Sequence, residues 1–112
     1  MSTLYSLAEL EDMCGGDKEF IAKMKQIFEE EMIIGLEKLH KAIPVKDYET
    51  IRVTSHTMKP SIDSLSIVSI REEIRLIESL ATQKADVGVI EPLIAKVDSV
   101  LHEVFEHMHA TE

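Results

Sequence analysis

The chain has 112 residues, the length of one domain built on one core. Hydrophobic residues make up 45% and charged residues 29%, while three prolines and four glycines are too few for a low-complexity or collagen-like protein. The formal charge of −9 argues against sequence-independent nucleic-acid binding, because phosphate backbones are held by surplus Lys and Arg.

A single cysteine, Cys14, can close no internal disulfide and anchors no structural zinc site by itself, which fits a reducing compartment. The start MSTLYSLAELEDMC has neither a basic n-region nor a sustained apolar stretch, so no secretory leader is expected. The longest apolar runs are a few residues, so no membrane span is expected either. The expectation is a small, acidic, soluble, cytoplasmic domain over 1–112, with no linker. Without tryptophan and with few aromatics, its core must come from Ile, Leu, Val and Met. That mix suits helices.

Periodicity predicts five helices. The first runs from about Ser6 to Met13, with Ser6 and Glu9 at the spacing of a capping box. Gly15-Gly16 ends it, and Asp17 is a natural N-cap for the second. That helix should run to about Ala42, roughly 40 Å at 1.5 Å per residue. Its buried seam reads Phe20, Met24, Ile27, Phe28, Met32, Leu36, Leu39, Ile43. Pro44 stops it. A third helix begins near Lys46 with the seam Tyr48, Ile51, Ser55, Met58, Ile62, Leu65. A fourth is expected from Ser66, carrying Ile67, Ile70, Ile74, Ile77 and Leu80. Residues 82–86 read as a turn. The last helix carries Ile90, Ile94, Val97, Leu101, Val104 and Met108, with Pro92 near its start, where a missing N–H costs little. Four long amphipathic helices with short connections imply an all-α fold, an antiparallel up-down four-helix bundle with a short additional N-terminal helix.

Most of the chain carries no recognisable chemistry: no phosphate-binding glycine loop, no HExxH and no G-x-S-x-G. The exception is the third helix, where Arg52, His56, Lys59 and Asp63 each follow a core residue by one position, at the border of the buried stripe. His56 should turn its ring toward solvent. Flanking cations favour a neutral, nucleophilic imidazole and would stabilise a phosphoryl group attached to it. Pro60, four positions after His56, removes the N–H that would bond the His56 carbonyl, so a local bend is expected.

At these residues the chain resembles a known family. His56-Thr57-Met58-Lys59, followed by Pro60-Ser61-Ile62, is similar to the H-x-x-K signature of histidine-containing phosphotransfer domains. Gly15-Gly16-Asp17 with Phe20, the long second helix and the Asp47/Tyr48 start of the third match that family's layout, so the resemblance extends from about Tyr5 to Met108. It implies that His56 is a phosphoacceptor, that Lys59 stabilises the phosphate, and that Arg52 can add support. Pro60 stands where many members have glycine. The resemblance further implies a phosphoryl carrier in a His-Asp phosphorelay with no ATP-dependent kinase activity and no bound cofactor. Its partner would be the receiver domain of a response regulator or of a hybrid sensor histidine kinase, which supplies the aspartate and Mg²⁺. An apolar docking rim is expected from the first helix, near Leu7 and Met13, and a closed bundle is expected to be a monomer.

Three other readings compete. The dimerisation helix of a histidine kinase also has His, a basic residue and Pro, but normally an acidic residue follows its histidine, where this chain has Thr57. In the last helix His102/Glu106 and Glu103/His107 are one turn apart and could chelate zinc, with His109 nearby; histidines at a helix end also complement its dipole, as does His40. The third is an interaction or structural bundle that has kept the fold and lost the phosphate chemistry.

Overall fold

A computed structural model of the chain describes residues 4–110, and among these every regular element is helical. Helix α1 spans Ala8–Cys14, α2 Lys18–Ala42, α3 Tyr48–Ser64, α4 Arg71–Thr82 and α5 Val87–Ala110. A single 3₁₀ turn, Val68–Ile70, leads into α4. Packing is most extensive between α3 and α4, followed by α2 on α3, α4 on α5, and α2 on α5. No helix is long and apolar enough to cross a membrane among the described residues.

The caps explain most of the boundaries. Gly15 adopts φ 63° and Gly16 φ 80°, the left-handed region that ends α1. Asp17 Oδ1 then accepts from the Glu19 and Phe20 N–H groups at 3.1 and 3.2 Å to start α2. Asp47 does the same for α3, taking the Thr50 N–H (3.1 Å) and hydroxyl (2.7 Å). The expected Ser6/Glu9 capping box does not form. The Ser6 N–H that Glu9 would have bonded donates instead to the Leu65 carbonyl at 2.7 Å, Leu7 becomes the N-cap, and Ser6 Oγ accepts from Ala8.

The seams are buried largely as spaced. Ile51, Ser55, Met58, Ile62 and Leu65 of the α3 series are all inside, and so is the whole expected series of α5. Ser55 is fully enclosed and satisfied, its hydroxyl donating to the Ile51 carbonyl at 2.7 Å. In the α2 seam Phe28, Met32, Leu36, Leu39 and the C-cap Ile43 are buried, but Phe20 is 42% exposed and Met24 and Ile27 are half-buried. The reason is length: α2 has 25 residues against 17 in α3, and short α1 lies over its first turns without burying any residue of its own.

Two further expectations change. The fourth helix starts at Arg71 and not at Ser66, because Ser66 takes a left-handed φ of 52° in a tight reversal. Ile67 and Ile70 are nonetheless fully buried from the turn. Pro92 is also deeper than expected: α5 begins at Val87, so the proline withholds an N–H from the Gly88 carbonyl in the second turn. In α3 the helix runs on through Pro60 to Ser64. An interior proline costs about 3 kcal/mol relative to alanine, so tertiary packing, not local propensity, keeps this segment helical.

Candidate functional site

His56 lies on the exposed outer flank of α3 with its side chain 63% exposed, as the one-after-core spacing requires. Its Nδ1 lies 2.9 Å from Glu78 Oε2 on α4. The other oxygen of the same carboxylate, Oε1, accepts from Lys59 Nζ at 3.0 Å. One carboxylate from α4 therefore holds both residues of the H-x-x-K pair, one on each oxygen.

Burial pushes the Glu78 carboxyl up, but the hydrogen bonds from Lys59 and His56 outweigh it and hold the group below its ordinary value. At neutral pH Glu78 is an anion with no proton to give. Nδ1 must then carry the shared proton and donate it, so in the neutral form of the ring the lone pair lies on Nε2. The tautomer is thus set by a neighbour in the fold. The imidazole meets an anion that is itself neutralised by Lys59, and not the purely cationic flank expected from the sequence.

Arg52 is placed differently from the expectation. Its guanidinium makes two bonds to Glu49, one turn back on α3, and does not reach His56. Those bonds raise the Arg52 pKa and lower that of Glu49. Asp63 completes the lane: Arg75 of α4 binds it through both terminal nitrogens, and Arg71 lies 3.6 Å away. Sequence reasoning missed Glu78. The signal was present, since Arg71, Arg75 and Glu78 each follow a core isoleucine (Ile70 of the 3₁₀ turn, Ile74 and Ile77 of α4) by one position and complement, in antiparallel order, the charges on α3.

These ion pairs give the α3–α4 seam an acid sensitivity whose sign can be worked out. The Arg75 hydrogen bonds hold Asp63 below its ordinary value. A depressed carboxylate contributes stability that is fully present above its unfolded pKa, about 4, and is lost as pH falls through the folded value. Asp63→Asn should therefore be less stable than wild type at pH 7, and the gap should close as pH drops below about 4. Paired thermal melts across pH 2–7 measure that gap directly.

The remaining histidines have partners away from this site. His40 Nε2 and His102 Nδ1 bind the two oxygens of Asp98 at 2.6 and 2.7 Å, His109 pairs with Glu29, and His107 Nδ1 meets the Tyr5 hydroxyl at 2.8 Å. Of the α5 histidines weighed as zinc ligands, His102 thus turns to Asp98 and His107 to Tyr5, and no group of three ligands able to hold a metal occurs among the described residues.

Beside the site, an open groove of about 240 Å³ runs between α1, the first half of α2 and the end of α3. Its apolar walls include Leu10, Met13, Met24, Ile27 and Phe28, and Pro60 stands on its rim. Met13 is 77% exposed, whereas Leu7 is turned inward and packs against the core. Compared with known proteins, the chain matches no family model, no curated protein and no solved structure.

Proposed function

We propose that this chain is a phosphoryl carrier of the histidine-containing phosphotransfer type, an antiparallel four-helix bundle of α2–α5 with α1 as an added N-terminal helix. His56 Nε2 is the atom that accepts and returns the phosphoryl group. The observation that carries this reading is the shared carboxylate: Glu78 holds Nδ1–H of an exposed imidazole and Lys59 together. That arrangement presents a lone pair outward with an ammonium one turn away.

The chemistry divides between two proteins. The lone pair of Nε2 forms the N–P bond as the P–O bond of a receiver's aspartyl phosphate breaks, and that electron pair returns to the aspartate carboxylate. The Nδ1 proton stays on the ring, held by Glu78. Charge spreads over the equatorial phosphoryl oxygens in the in-line transfer, and Lys59 approaches it from this side; a Mg²⁺ held by the receiver would supply the compensating charge on the other. Arg52, committed to Glu49, takes no part. The groove beside Pro60, with exposed Met13, supplies the apolar surface on which the receiver docks.

The test is phosphoryl transfer from a panel of phosphorylated receiver domains to wild type and to His56→Gln, read by intact mass. Wild type should gain one acid-labile phosphoryl group and His56→Gln none. Equal labelling of both proteins would sink the assignment of His56. Failure of both, with circular dichroism showing both folded, would favour the interaction-bundle reading.

A further inference from the structure

Pro60 breaks a local rule. It sits inside α3, with helix continuing after it to Ser64, and it is exposed on the rim of the apolar groove. Its one obligatory chemical effect falls on His56: the carbonyl four residues back receives no N–H from the helix ladder, and the ring crowds that carbonyl outward. Nearby carbonyls are supplied twice over. Val53 O takes the Thr57 hydroxyl at 2.8 Å and Ile51 O the Ser55 hydroxyl at 2.7 Å, in addition to their ladder positions. Pro92 in α5 frees the Gly88 carbonyl in the same way, but in the second turn of its helix, close to the turn that caps it. Pro60 does so at the candidate phosphoacceptor. The residue whose carbonyl is released is the one whose side chain is proposed to react.

We infer that Pro60 is a specificity-determining residue: it turns the His56 main-chain carbonyl into a docking acceptor that the phosphodonor protein reads with an N–H or O–H donor. This rests on the phosphoacceptor reading of His56. Any protein that brings an acyl phosphate to Nε2 must cover the exposed face formed by Val53, His56, Thr57 and Pro60. The freed carbonyl belongs to the same residue and leaves the backbone on that helix. A donor at the rim of the partner's phosphorylation pocket then fixes the approach of phosphorus to Nε2, and an apolar side chain beside it passes over Pro60 into the groove of Met13, Ile27 and Phe28. A donor lacking the hydrogen-bonding group leaves the carbonyl covered and unpaired, which discriminates against it.

The experiment compares two phosphodonors on two variants. Phosphoramidate reacts without docking: the Nε2–P bond forms, the P–N bond breaks, and ammonia leaves. The second donor is whichever phosphorylated receiver domain labels wild type fastest. Pro60→Ala restores the N–H and removes the ring. Lactic acid at position 60 has the alanine side chain but an ester oxygen in place of the N–H. Pro60→Ala should raise the melting temperature and lower the ratio of receiver-dependent to phosphoramidate-dependent labelling about 3- to 10-fold, the worth of one hydrogen bond, with the change in KM and not in kcat. The lactic acid variant keeps the wild-type ratio. An unchanged ratio in Pro60→Ala overturns the inference, as does an equal fall in both variants, which would assign the effect to the ring. Failure of phosphoramidate to label wild-type His56 overturns the phosphoacceptor reading itself and this inference with it.

Discussion

On the proposed phosphoacceptor reading of His56, Glu78→Gln should slow phosphoryl transfer by about 10- to 100-fold, the scale of loss seen when a carboxylate that orients a metal-bound histidine is removed. Glutamine keeps the shape of the side chain and discards its charge. Its one carbonyl oxygen can accept from His56 or from Lys59, so one of the two bonds now made at 2.9 and 3.0 Å is lost and the other is no longer charge-assisted. Its amide nitrogen can also turn toward Nδ1 and donate, which selects the opposite tautomer and places the proton on Nε2, where phosphorus must bond. The fold should tolerate the change. His56 is mostly exposed and Lys59 can reach water, so neither is stranded in a dry environment. Two measurements check this: the transfer rate from one receiver domain, and the ¹⁵N shifts of the His56 ring, which report which nitrogen is protonated. A rate loss with an unchanged tautomer would shift the role of Glu78 to placing Lys59. No rate loss would remove Glu78 from the site.

The residues that were legible in the sequence are those whose role is local. Asp17 and Asp47 cap because a carboxylate two or three residues before free N–H groups can do so in any context. The isoleucines of α4 and α5 are buried because spacing alone puts them on one face. Ser6 and Glu9 have equally good local credentials, and they failed because Leu65, nearly sixty positions away, supplied an acceptor for the same N–H. Phe20 continues the α2 seam by period, but period says nothing of how far the neighbouring helices extend. The site divides the same way. His56 and Lys59 were visible as a motif on one helix, and Arg52 was read with them although Glu49, three residues back, was the closer partner in sequence. Glu78 is visible only when the charge series of α3 and α4 are compared in antiparallel order, since the spacing within one helix alone does not encode which turns meet across the seam.

Gly35→Val should lower the melting temperature by on the order of 10 °C, because α2 and α3 approach closely at this residue. A Cβ at position 35 would lie 2.7 Å from Met58 Sδ and 3.0 Å from Met58 Cγ, inside any normal contact distance. Met58 is itself 2% exposed and cannot swing into water. Alanine would gain helix propensity of about 0.8–1 kcal/mol over glycine and bring only the one carbon, so methionine's flexibility nearly offsets the clash. Valine adds two further carbons in a fixed rotamer and a β-branch, and overpacking of that size costs about 1–3 kcal/mol. The cause can be separated from a general loss of stability with a double-mutant cycle. Met58→Ala alone should cost about 2–5 kcal/mol by leaving a cavity, but in the Gly35→Val background the valine fills part of that space and the cost should shrink. Simple additivity would place the damage elsewhere. The same contact ties the core to the site, for Met58 stands between His56 and Lys59 on α3. Pushing Met58 away from α2 moves that turn of α3 relative to α4, and both bonds to Glu78 depend on its position. On the proposed function, Gly35→Val should therefore lose transfer rate at temperatures where it is still folded, whereas a core truncation that alters neither residue of this contact, such as Val97→Ala on α5, should lose stability alone.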